Sequence, residues 1–119
     1  MDYENTLSPE QVVQENVDFY NARDIDKFMS SFSTDIALYN FSNPLPSLTG
    51  LNQIRKFYDE LFLLSPQLHS TIIKRIVFDN KVIDHESIVG RKGSDEIVEL
   101  VLIYEVKKNK ICKITVIKN

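Results

Sequence analysis

Histidine is the side chain whose ordinary pKa, near 6.5, suits it to carry protons close to neutrality. The chain has two, His69 and His85, and His85 lies in the run Val82-Ile83-Asp84-His85-Glu86-Ser87-Ile88-Val89. Set against residues 96–107 as a hairpin turning through Gly93, that run groups Ile83, His85, Ser87 and Val89, and their apolar character marks this phase as the inner one. On that reading His85 faces inward as an acid/base group or as a hydrogen-bonded core residue. Asp84 and Glu86 look like a carboxylate pair for acid/base work, but the same alternation sends them to solvent or to an interface. Two amides stand in apolar surroundings. Asn16 lies four residues after Val12 and four before Tyr20 on a helical face, and Asn40 closes an inward phase begun by Ile36 and Leu38. A buried amide needs hydrogen-bond partners, so Asn16 either bonds structurally to Tyr58 or touches a ligand, and Asn40 is read as a group that orients one. Tyr20, Tyr58 and Tyr104 fall at helical or strand spacing, as core residues with hydroxyls free to face a cavity.

Other chemistries find no support. The single cysteine, Cys112, excludes an intrachain disulfide and a cysteine metal cluster, and a metal site would have to lean on carboxylates. No phosphate-cradling glycine loop or nucleophile elbow is present, so no metal or cofactor is expected. Fourteen basic against seventeen acidic residues, net −3, lack the footprint of nucleic-acid binding. The lysines of Lys107–Lys118 alternate with β-branched residues and read as the solvated ends and turn of a hairpin. No stretch approaches the ~18 apolar residues of a membrane helix. No apolar leader follows Met1 and the chain is poor in cysteine, so a cytoplasmic protein is expected, with 1–119 a single domain.

The elements that must position these residues are marked by local signals. Ser8-Pro9-Glu10-Gln11 is a capping box with proline at the first helical position, opening a helix to about Asn21. Asp24 opens a second, with Ile25, Phe28, Met29 and Phe32 on its apolar face. Ile36–Phe41 reads as a strand, ended by Asn43-Pro44-Leu45-Pro46. A third helix follows Thr49-Gly50, carries Leu51, Ile54, Phe57, Tyr58, Leu61 and Leu64, and stops before Pro66. From Leu68 the period changes to two. Residues 68–78, 82–91, 96–107 and 110–117 form a meander of strands joined by short turns. The expected fold is α+β, three N-terminal helices packed on a curved, mainly antiparallel sheet. In residues 96–107 the phase Val98, Leu100, Leu102, Tyr104 is apolar, but Ile97, Val101 and Ile103 make the opposite phase apolar too. Helices cover one face, and a second copy of the chain is the economical cover for the other.

This order of elements, with Asn21-Ala22-Arg23-Asp24 between the first two helices, Phe57-Tyr58 in the third and Val82–Glu86 in the sheet, resembles the nuclear transport factor 2 superfamily. Within it, the chain resembles SnoaL-like and steroid delta-isomerase-like bacterial proteins, from about Ser8 to Ile117. The resemblance implies a cone-shaped barrel open at one end on an apolar pocket, and a homodimer formed through the outer sheet face. In the ketosteroid isomerases of this superfamily a first-strand Asp is the base, and a first-helix Tyr with a protonated Asp on the third long strand stabilises the oxyanion. Here those positions hold Asn40, Asn16 and Leu102, while Tyr58 matches the supporting Tyr. An amide cannot abstract a proton at neutral pH and leucine offers no donor, so steroid isomerisation itself is not expected. The resemblance implies a small hydrophobic ligand touched by Asn16, Tyr20, Tyr58, Leu102 and Tyr104. Any catalysis would be isomerase-, dehydratase- or cyclase-like, with His85 and Asn40 as catalytic groups. The alternative is a non-catalytic ligand-binding or dimerisation module.

Overall fold

A computed structural model describes residues 6–119; the leader expectation at Met1 concerns residues partly outside that range. Helix α1, Pro9–Ala22, starts on the capping box: Ser8 Oγ accepts from the Gln11 amide at 3.1 Å and Gln11 Oε1 accepts from the Ser8 amide at 2.8 Å. Asp24 caps α2, Ile25–Ser30, by accepting from the Lys27 amide at 3.2 Å. Phe32, expected on the face of that helix, instead begins strand β1, Phe32–Asn40. Its ring still meets Phe28 edge-on at 5.1 Å, so helical spacing and the start of a strand lead the side chain to the same core. A two-residue strand β2, Leu48–Thr49, precedes α3, Gly50–Leu64, and the long strands β3, His69–Phe78, β4, Lys81–Val89, β5, Val98–Lys107, and β6, Lys110–Lys118, follow.

The six strands form one sheet in the order β2-β1-β6-β5-β4-β3. All neighbours are antiparallel except β1 and β6, which run parallel with Leu38 opposite Ile114 and Asn40 opposite Val116. The fold is therefore α+β, three helices on a six-stranded mixed sheet. The sheet does not close, because β2 and β3 remain as its edges. Val13 and Val17 of α1, Ile54 and Leu61 of α3, and Ile36, Ile111 and Val82 of the sheet are buried in the core between the layers. An aromatic cluster built around Phe28, with Tyr20, Tyr58 and Phe62 at centroid distances of 4.7–6.0 Å, occupies one end of it.

The β4–β5 register decides which side chains reach that interior. Val82 opposes Tyr104, Asp84 opposes Leu102, and Glu86 opposes Leu100, which is the pairing a hairpin centred on Gly93 produces. Directly opposed residues of antiparallel strands share a face. Leu100 and Tyr104 are buried under the helices, so Asp84 and Glu86 are buried with them.

Candidate functional site

A cavity of about 390 Å³ lies between the helices and the inner face of the sheet, within the size range of small-molecule sites. Helix α1 supplies Asn16 and Tyr20, α3 supplies Tyr58 and Leu61, and Asn40 stands at the end of β1. Leu102 and Tyr104 come from β5, so six of the seven residues singled out in the sequence line one space. The seventh does not. His85 projects from the outer face, 41% exposed, with Nε2 2.7 Å from Glu99 Oε1. The expectation that it faces the pocket is corrected: apolar Ile83 and Val89 belong to a second greasy surface, and cross-strand face sharing overrides their character. Asn16 donates through Nδ2 to the Phe28 carbonyl at 3.3 Å rather than to Tyr58, tying α1 to α2. Its carbonyl oxygen makes no hydrogen bond among the described residues. Since no enclosed side-chain polar atom lacks a partner, that oxygen opens on the cavity.

The carboxylate on the cavity wall is Glu86, which the sequence reading had placed outside. It is 3% exposed. Burial is the main force on its acidity and lifts its pKa from 4.5 to about 7; neighbouring Asp84 adds to this, while hydrogen bonding from Ser70, the Arg75 charge and Tyr104 oppose it. Ser70 Oγ donates to Oε1 at 2.5 Å and the Tyr104 hydroxyl lies 3.5 Å from Oε2. Ser70 is itself clamped: its amide donates to Asn21 Oδ1 at 2.7 Å and its carbonyl accepts from Asn21 Nδ2 at 3.0 Å. Arg23 completes the staple by donating to the Leu68 carbonyl at 2.8 Å. The Asn21-Ala22-Arg23-Asp24 segment thus holds the end of α1 to β3 and fixes the donor that orients Glu86.

Asp84, also expected outside, is fully enclosed but committed elsewhere. Arg75 grips it with both ends of its fork, Nε to Oδ1 at 2.6 Å and a terminal nitrogen to Oδ2 at 2.8 Å, and donates its other nitrogen to Gln14 at 2.7 Å. Such a bidentate charge-assisted pair is a structural strut. Among the described residues lining the cavity, Glu86 is therefore the only acid, and Arg91 and Lys118 are the cations. Burial raises the phenols of Tyr20 and Tyr58, the latter to about 12, so both are neutral donors at physiological pH. No group of three or more His, Cys, Asp or Glu among the described residues could hold a metal ion, and no helix among them is long and apolar enough to cross a membrane. Glu86 could have been found in the sequence by carrying the inward phase of β5 across the hairpin. Arg91 carried no comparable signal, because it sits in the turn.

Comparison with known proteins gives the same frame. The structure superposes on an uncharacterised cystatin-fold protein from Novosphingobium aromaticivorans with a TM-score of 0.85 and 21% identity, over 95% of this chain and all of that one. An NTF2-like protein of unknown function from Cytophaga hutchinsonii gives 0.80 at 11% identity over 98% and 94% of the two chains. A SnoaL-like protein of unknown function from Burkholderia thailandensis gives 0.75 at 19% identity over 93% of each. These identities establish a shared fold. No curated protein matches the chain significantly. Residues 13–114, which include every cavity-lining residue except Val116 and Lys118, match the SnoaL-like domain, and the chain belongs to that family.

Proposed function

We propose that the cavity binds a small, mostly apolar organic molecule and that Glu86 moves a proton on it. The observation that carries this reading is a carboxyl group on the wall of an apolar cavity with a pKa of about 7, where protonated and ionised forms coexist under physiological conditions. Ionised Glu86 would accept a proton from a carbon beside a carbonyl and return it to another atom of the same molecule. Tyr20 and Tyr58, neutral donors on the same wall, would hydrogen-bond an oxygen of the ligand, and Asn16 and Asn40 would orient it. Isomerisation, dehydration and cyclisation all follow this pattern.

The test is incorporation of solvent deuterium into an apolar ketone, α-tetralone, followed by NMR. The native chain should exceed the buffer rate with a pH dependence rising through about 7, and Glu86→Gln should fall to the buffer rate. Equal exchange in both proteins would refute the assignment.

The outer sheet face supports a dimer. Ile83, Val101 and Ile103 are only half-buried there, and Ile97 is 68% exposed. A second copy laid on this face would remove that apolar surface from water. Sedimentation equilibrium at micromolar concentration should give a dimer that Val101→Lys weakens; a monomeric native chain would overturn this. A cytoplasmic location is proposed only on the chain's composition, and fractionation of the source cells tests it.

A further inference from the structure

Arg91 is a cation on the wall of an apolar cavity, and among the described residues its guanidinium forms no ion pair or hydrogen bond. Its position is fixed by the backbone on both sides. Gly90 adopts φ 76°, and a Cβ there would come within 2.3 Å of the Gln67 carbonyl oxygen, so the chain can pass this close to the end of α3 only with glycine. On the other side the Lys92 amide donates to the buried Ser65 hydroxyl at 2.8 Å. These contacts fix the backbone at Arg91, whose half-buried side chain lines the cavity.

Two hydroxyls accompany it. Tyr20 and Tyr58 line the same cavity, and neither hydroxyl has a hydrogen-bond partner among the described residues. Both phenols feel the Arg91 charge, which lowers their pKa, and the Glu86 charge, which raises it. Their rings pack edge-on with centroids 6.4 Å apart, so the two phenols form one group within reach of both charges. Glu86 lies three residues inside β4 and Arg91 two residues beyond its end, so the two charges stand at different depths along the strand. With Lys118 also on the lining and Glu86 half protonated near neutrality, the wall has a net positive charge.

We propose that the ligand is a small carboxylic acid, whose carboxylate is held by the Arg91 guanidinium and the Tyr20 and Tyr58 hydroxyls while its apolar body reaches inward to Glu86. A guanidinium matches a carboxylate in two parallel hydrogen bonds, and neutral phenols add donors without adding charge. This assignment rests on the reading of the cavity as a ligand pocket and names the ligand's chemical class.

Calorimetric titration at pH 6, where Glu86 is mostly protonated, tests it with phenylacetate and cyclohexylacetate against their neutral amides. The acids should bind the native chain about tenfold or more tightly than the amides. Arg91→Gln should erase that preference with the amide Kd changed less than about twofold. Arg91→Lys should retain part of it, and Glu86→Gln all of it. Equal binding of acid and amide by the native chain, or a preference that survives Arg91→Gln, overturns the assignment while leaving an apolar pocket. Loss of deuterium exchange in Glu86→Gln is read separately, so failure of the proton-transfer role is distinguishable. Binding of neither acids nor amides overturns both readings.

Discussion

Replacing Glu86 by glutamine should change how the stability of the protein depends on pH, by an amount that its burial sets. Glu86 titrates near 7 in the folded chain against an ordinary 4.5. Between those values the folded state holds a proton that the unfolded state has released, so stability falls as pH rises. The favourable contribution is complete below about 4.5 and is lost as pH passes through about 7. At about 1.4 kcal/mol per pH unit the full loss is about 3 kcal/mol, a large share of the ~5–15 kcal/mol that holds a typical domain together. Glutamine keeps an acceptor for Ser70 but never ionises. Urea unfolding of both proteins from pH 5 to 8.5, followed by circular dichroism at one fixed protein concentration, gives a difference curve in which all other titrating groups cancel. The variant should gain about 2–3 kcal/mol on the native chain across that range. A flat difference curve would show that Glu86 is ionised in the folded state throughout and would remove it as a proton carrier at neutral pH.

Arg75→Met should cost about 3–5 kcal/mol in the same assay, because it leaves the fully enclosed Asp84 carboxylate without its partner. Adding Asp84→Leu should recover most of that loss, since an apolar pair of similar volume needs no charge compensation. Gly90→Ala should lower stability by about 1–3 kcal/mol and weaken phenylacetate binding, through strain at φ 76° and collision with the Gln67 carbonyl. His85→Gln should stay within about 0.5 kcal/mol of the native chain and leave α-tetralone exchange unchanged, because the His85–Glu99 pair lies on the outer face. A loss of exchange in that variant would restore His85 to the site.

The elements were largely legible because their signals are local. The Ser8–Gln11 capping box, the Asp24 cap and the proline stop after α3 all act within one turn of chain, and each boundary they mark is close to the observed one. The parallel pairing of β1 with β6 was not legible. It joins residues about eighty positions apart, and nothing in either strand's alternation specifies a neighbour. The cavity residues on helices were found from their period, and Asn40 from the phase of β1. Glu86 and Asp84 were misplaced because polarity was taken to mean exposure. In β4 the apolar residues Ile83 and Val89 lie on the outer face and the two acids lie inside, each matched to Ser70 or Arg75 from the neighbouring strand. Partners supplied by another strand are invisible to any reading of one strand alone.

The central place of β6 governs the order in which the molecule can assemble. Strands β3, β4 and β5 are neighbours in sequence as well as in the sheet and can zip together as they emerge, while β1 and β2, made earlier, have no long strand to join until synthesis has reached Lys118. Closing that loop brings together segments separated by most of the sequence, the kind of non-local step that slows folding. Until then the α1–β1 portion exposes its apolar face, so a nascent chain stalled before β6 is a natural client for chaperones. Truncation inside β6 would split the sheet into two unjoined pieces and open the cavity along its length, rather than fray one edge.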